Sequence, residues 1–110
     1  MKNIELIRES GPGAETELAE DKDVKELFNG PFRKVIEVRL QNNSVLPRHK
    51  ADVPITVFCL SGKGIFSAGS DLEDSLELRA GTLITLEAGV EHEVIADPSI
   101  HIIVTKFKNS

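Results

Sequence analysis

Short segments of alternating apolar and polar residues fill the chain from Phe32 onward, and they restrict its fold more than any other feature. β-branched and aromatic residues are frequent within these segments, as expected of half-buried strands. Turn residues recur about every eight to twelve positions, which is typical of an all-β sandwich or barrel. The predicted strands are residues 35–40, 55–60, 65–68, 75–79, 82–86, 92–96 and 100–107, with a hairpin turn at residues 61–64.

The N-terminal part of the chain follows a different pattern. Alternation over residues 4–8 predicts a short first strand. Val24, Leu27 and Phe28 stand at the i, i+3, i+4 spacing of one helix face, which predicts a short helix over residues 17–28. We therefore expect an N-terminal strand and helix appendage over residues 1–31 and a barrel over residues 32–110.

Composition and charge limit the classes of partner. Hydrophobic residues make up 40% of the 110 residues, which is enough for one core. Thirteen basic and eighteen acidic residues give a net charge of −5, which disfavours nucleic acid and anionic membranes as partners. No apolar run is long enough for a membrane span, and charges interrupt the N-terminal stretch where a signal peptide would be apolar. The lone cysteine, Cys59, fits a reducing compartment, so we expect a cytoplasmic protein.

Gly81, Gly89 and His92 carry the most specific spacing in the chain. Five residues separate Gly81 from Glu87, one separates Glu87 from Gly89, and two separate Gly89 from His92. This spacing resembles the second motif of the cupin superfamily, G-x5-P-x-G-x2-H-x3-N, with Glu87 in place of the proline and Ala96 in place of the asparagine. The matching positions lie in the strand–turn–strand context that the motif has in the family.

A second, less complete match to the family lies before Gly81 in the chain. The first cupin motif places two histidines and a glutamate before a glycine, and with Gly62 as that glycine, His49 takes the first histidine position. Ala51 and Ile55 then stand where the second histidine and the glutamate are expected. The chain therefore resembles a cupin that retains two of the four metal-binding side chains, His49 and His92.

The resemblance implies an all-β, double-stranded β-helix or jelly-roll barrel of the RmlC-like type, which pairs with a second copy as a homodimer. It also implies a divalent transition metal (zinc, nickel, iron or copper), held by three histidines and one carboxylate. His49 and His92 are then the candidate metal ligands, although a catalytic zinc site uses three protein ligands and a structural one four. The same two residues are the candidate catalytic residues, because an imidazole pair can also transfer protons without a metal.

Cys59 and His101 are candidates for a third metal ligand. Cys59 shares one strand face with Ile55 and Val57, so its thiol is predicted to point into the barrel. The alternative is that Cys59 is a small residue of the core, which is common for buried cysteine. His101 lies on the strand face opposite Ile102, and the alternative for it is a surface or hydrogen-bonded histidine.

An apolar wall is predicted beside the two histidines. A barrel mouth (the open end of the barrel) that combines two imidazoles with an aliphatic wall suits a small, partly apolar ligand. Binding of such a molecule without a complete metal site is the first functional hypothesis. The alternatives are a metal-dependent dioxygenase-like or isomerase-like enzyme, a metal-free acid–base enzyme, and an interaction role for the outward strand face of Thr56, Phe58 and Leu60. The predicted pocket-lining residues are Ala51, Ile55, Val57 and Cys59.

Overall fold

The computed structural model describes residues 3–7 and 21–108. These residues form seven β-strands and no helix, so none of them belongs to a helix long and apolar enough to cross a membrane. All strand pairs are antiparallel. The strands are β1 (Lys22–Asn29), β2 (Arg33–Leu40), β3 (Val45–His49), β4 (Ile55–Ala68), β5 (Asp74–Arg79), β6 (Leu83–Leu86) and β7 (His92–Phe107).

The two long strands, β4 and β7, pair with each other along their lengths and connect two half-sheets. In the first half-sheet, the C-terminal part of β7 pairs with β2, β2 pairs with β1, and the N-terminal part of β4 pairs with β6. In the second, the N-terminal part of β7 pairs with β3 and the C-terminal part of β4 pairs with β5. Side chains from both half-sheets form one core cluster, so the half-sheets face each other as the two walls of a barrel.

β4 and β7 bend where they pass from one half-sheet to the other. The register between them shifts between Cys59 and Ser61 and again between Gly62 and Gly64. At the second shift, residues 97–99 of β7 lie opposite the single residue Lys63. Such irregularities bend the strand that carries them. The first shift also changes which residues of β4 face inward, from odd numbers at 55–59 to even numbers at 64–68.

The predicted helix is wrong over the part that the structure describes. Residues 22–28 of the predicted segment 17–28 lie in β1, and residues 17–20 lie outside the described residues. A β-bulge between Glu26 and Phe28 inserts one extra residue, Leu27, into the strand. Because the bulge interrupts the period-two alternation, it spaces the apolar residues as they would be spaced on a helix. The strand predicted at residues 4–8 is not formed by residues 3–7.

Within the barrel the predicted segments are strands, but the hairpin turn predicted at residues 61–64 and the turn expected between the predicted strands 92–96 and 100–107 are not turns. Residues 61–64, predicted as a hairpin turn, are the bend in the middle of β4, and residues 97–99 are the bend in β7. Glycine and proline are frequent both in turns and at strong bends of a strand. Strand β3 was not predicted, because Val45–His49 contains a proline and shows no period-two pattern.

Candidate functional site

The ends of β4 and β7 meet at one end of the barrel, which we call the barrel mouth. Because both strands bend near their middles, their first and last residues return to this end on opposite walls. The loop of residues 50–54 and the loop of residues 87–91 each cross the mouth from one half-sheet to the other. The amide of Gly89 donates to the carbonyl oxygen of Ala51 at 2.8 Å and joins the two loops.

His49 and His92 lie side by side at the barrel mouth. They occupy paired positions of β3 and β7, and their ring centroids are 4.2 Å apart with the ring planes tilted by 59°. His49 is exposed, whereas His92 is only 4% exposed and its ring stacks on Phe66 at a centroid distance of 5.8 Å. The structure thus brings together the two residues that the motif match singled out, one at the surface and one just beneath it.

Each ring is held by a carbonyl oxygen two residues earlier in the chain. Nδ1 of His49 lies 2.8 Å from the carbonyl oxygen of Pro47, and Nδ1 of His92 lies 3.0 Å from that of Val90. A carbonyl oxygen only accepts hydrogen bonds, so Nδ1–H is the donor in both rings. In the neutral imidazole, Nε2 then carries the lone pair and is available to a ligand.

His92 favours its neutral form. Burial lowers the pKa of His92 below its ordinary value of 6.5, and the neighbouring His49 ring and the Lys106 ammonium lower it further. The hydrogen bond to Val90 opposes this effect. The unfolded chain therefore takes up a proton on His92 at a higher pH than the folded protein does.

This difference predicts a pH dependence of both titration and stability. The NMR resonance of the His92 ring should titrate with a midpoint below 6.5, the ordinary value. The contribution of His92 to stability should be complete above about pH 6.5 and be lost as the pH falls from there to the folded-state pKa. His92→Gln should remove that part of the pH dependence in denaturant titrations. A midpoint at or above the ordinary value would contradict the burial of the His92 ring.

The donor set at the mouth does not fit a complete metal site. In the part of the chain that the structure describes, no group of three or more His, Cys, Asp or Glu side chains is placed to hold a metal ion. Cys59 is fully buried in the core, and its thiol donates to the carbonyl oxygen of Ser61 at 3.4 Å. Burial also raises the pKa of this thiol, which disfavours the thiolate that binds metals. Cys59 is thus a core residue and not a third ligand.

His101 lies on the outer face of the first half-sheet, away from the barrel interior. Its neighbours along β7, Ile100 and Ile102, belong to the core cluster, so the His101 ring points to the other side. There its Nε2–H donates to Oε2 of Glu37 at 3.0 Å, and both side chains are buried. The prediction of His101 as a third ligand is therefore wrong, and the hydrogen-bonded alternative is correct.

The predicted wall residues lie inside the barrel. Ile55, Val57 and Cys59 belong to the core cluster, and Ala51 packs against it. Their contact with a ligand stays a prediction. The motif comparison did not single out Lys106, which lies at the mouth directly opposite Ile55 in the β4–β7 register. The available signal was its position two residues after Val104, on the face that Ile100, Ile102 and Val104 make apolar.

Comparisons with known proteins show the fold. No family model matches the chain, and no curated protein matches it. The solved structures similar to it include a cupin superfamily protein from Desulfitobacterium hafniense, with a TM-score of 0.78 and 6% identity, covering 88% of this chain and 86% of that one. An RmlC-like cupin family protein with a double-stranded β-helix fold from Methanocaldococcus jannaschii has a TM-score of 0.70 and 14% identity, covering 84% and 86%. A cupin domain from Bordetella pertussis has a TM-score of 0.68 and 18% identity, covering 86% and 100%. The chain therefore has the RmlC-like double-stranded β-helix fold of the cupin superfamily.

Proposed function

We propose that this protein binds a small organic molecule at the barrel mouth, between His49 and His92, without a complete set of protein ligands for a metal ion. The observation that carries the proposal is the pair of imidazoles 4.2 Å apart at one end of a barrel with an apolar core. Once a bound ligand excludes water, leaving the Nε2 acceptors of the two rings without hydrogen-bond partners would cost free energy. These acceptors therefore select for a molecule that presents a hydrogen-bond donor.

The surroundings of the two rings support a ligand with a polar end and an apolar body. His49 is open to solvent, whereas His92 lies deeper and stacks on Phe66 of the core. Ala51 and Ile55 occupy the positions at which the resembled motif has charged or metal-binding side chains. Small-molecule sites typically combine a mostly apolar lining with a few convergent polar groups. The two imidazoles beside the apolar Ala51 support such a site at the barrel mouth.

A metal-dependent cupin enzyme of the dioxygenase-like or isomerase-like class is the alternative. The available Nε2 atoms of His49 and His92 favour it, because a neutral imidazole is a good ligand for late first-row metal ions. A reactive metal centre on these two residues would need further ligands from the substrate or from water. Stable retention of the metal by the ligand-free protein is therefore the property that separates the two functions.

The three histidines of this chain give the experiment an internal control. We expect compounds from a panel of small anionic, neutral and cationic molecules to shift the NMR resonances of the His49 and His92 rings. The His101 ring should stay unchanged, because it lies on the other side of the first half-sheet. The same protein, loaded with Zn²⁺ or Ni²⁺ and then desalted, should not retain stoichiometric metal by elemental analysis. His49→Ala should abolish the shifts at the His92 ring.

Two results would overturn the proposal. A panel that leaves both mouth imidazoles unchanged would exclude ligand binding between them. Stoichiometric metal that survives desalting and is lost in His49→Ala would favour the metal-dependent alternative instead.

A further inference from the structure

Lys106 is an inward-facing lysine at the end of the core strand β7. The register between β7 and β2 is unbroken from Ile100 to Phe107, so the alternation of side chains holds over this stretch. Ile100, Ile102 and Val104 are buried in the core cluster, which places the half-buried Lys106 on the same face. A lysine in this position extends its stem along apolar surface and presents its ammonium at the edge of the core.

The bends of β4 and β7 bring Lys106 to the same end of the barrel as the imidazole pair. Lys106 is paired with Ile55, the first residue of β4, on the first half-sheet. His92 is paired with Ala68, the last residue of β4, on the second half-sheet. The two pairs therefore face each other across the mouth. The electrostatic effect of the Lys106 ammonium on His92 agrees with this placement.

Lys106 places a positive charge at the mouth that no ion pair of the described residues neutralises. No carboxylate of the described residues lies within ion-pair distance of its ammonium. Lys34, its neighbour on β2, contributes no net charge because its ammonium lies 3.4 Å from Glu26. Glu91, near the start of β7, is bound to Arg48 at 2.8 Å. The loops that cross the mouth also carry Lys50, Asp52 and Glu87. Among the inward-facing strand residues, Lys106 thus adds one ammonium to the two imidazole acceptors.

We infer that the ligand is a small 2-hydroxycarboxylate with a short aliphatic body, whose carboxylate binds Lys106 and whose hydroxyl donates to an imidazole of the His49–His92 pair. The inference rests on the proposed function, because it names the ligand class of the same site. One anionic group matches the inward-facing Lys106 ammonium, and one donor matches the Nε2 acceptors. The aliphatic body matches Ala51, a partly buried apolar residue of the loop that crosses the mouth, and the core against which Ala51 packs. The same ammonium repels a divalent cation, so it favours an anion over a metal at the mouth.

Charge-matched probes test this inference. Calorimetry and NMR titrations should show that 2-hydroxy-3-methylbutanoate binds and shifts the His49 and His92 rings, while the neutral amide of the same acid binds at least about tenfold more weakly. Lys106→Met keeps the aliphatic stem and removes the charge. It should weaken carboxylate binding by about tenfold or more and leave binding of the amide unchanged. Lys106→Arg should retain most of the affinity.

Lys63→Met is the matched control, because it removes one positive charge at the bend of β4 and not at the mouth. It should bind the carboxylate as the unchanged protein does. The inference is overturned if the amide binds as tightly as the acid, or if the two lysine variants lose affinity equally. If other panel compounds shift the mouth imidazoles but no 2-hydroxycarboxylate does, the ligand class is wrong and the proposed function stands. If nothing shifts them, both fail. Amide NMR spectra of each variant verify that it is folded.

Discussion

Gly62→Ala is expected to destabilise the protein by roughly 3 kcal/mol or more, at the upper end of single-substitution effects. Gly62 has a φ of +83°, a left-handed conformation that costs a residue with a Cβ about 1–2 kcal/mol. A Cβ at this position would also overlap the carbonyl oxygen of Ser99 and come within 2.7 Å of Ile100 Cα. Both contacts are backbone atoms of β7, so relief requires the two long strands to separate at their bends.

Gly81→Ala is the control for this substitution. Gly81 has a φ of +90°, but a Cβ there would meet no atom within 4 Å. It should therefore lose only the conformational part, about 1–2 kcal/mol. Urea denaturation of both variants measures the difference. Equal losses would show that the close approach of β4 and β7 at Gly62 does not stabilise the barrel.

Removal of one partner from the Glu37–His101 pair is expected to cost about 3–5 kcal/mol. Glu37 is 4% exposed and His101 is 2% exposed, so either side chain alone would leave a buried polar group with a lost partner. Arg39 lies 3.6 Å from the same Glu37 oxygen and adds a second interaction to this carboxylate. The loss should appear as a lower midpoint of urea denaturation for His101→Leu and for Glu37→Leu.

The double variant measures the interaction between Glu37 and His101 apart from the contribution of each side chain alone. His101→Leu with Glu37→Leu should be more stable than the sum of the single losses predicts, because two apolar residues replace both polar partners. The exposed ion pair between Glu77 and Arg79 is the matched control, and its double-mutant cycle should show no measurable coupling. Simple additivity at Glu37 and His101 would mean that the two side chains do not interact in solution.

Local patterns predicted most strands of the barrel, because their apolar residues alternate with polar ones. β2, β5 and β6 coincide with predicted segments to within two residues. The bends were not predictable from such patterns. A segment that contains glycine can either continue through a bend or reverse in a turn. Only the long-range pairing of β4 with β7 shows that residues 61–64 form a bend.

The site could be predicted in part. The resemblance of His49, Gly81, Gly89 and His92 to the cupin motifs implied that the two imidazoles meet at one barrel mouth, and the structure places their ring centroids 4.2 Å apart. Their role as ligands stays a prediction. The position of Lys106 at the mouth could not be predicted from the sequence. It depends on the bending of the strands, which brings residues of opposite half-sheets together. Cys59 was ambiguous because its inward orientation fits both a core residue and a ligand, and only the distances between side chains decide.

A crystal structure of the protein with 2-hydroxy-3-methylbutanoate would show whether the barrel mouth binds this ligand. We expect ligand density at the barrel mouth, within hydrogen-bond distance of an Nε2 atom of His49 or His92 and with its carboxylate on the Lys106 ammonium. Imidazole rings that lie apart, or a ligand that occupies the outer face near His101 instead, would contradict this expectation.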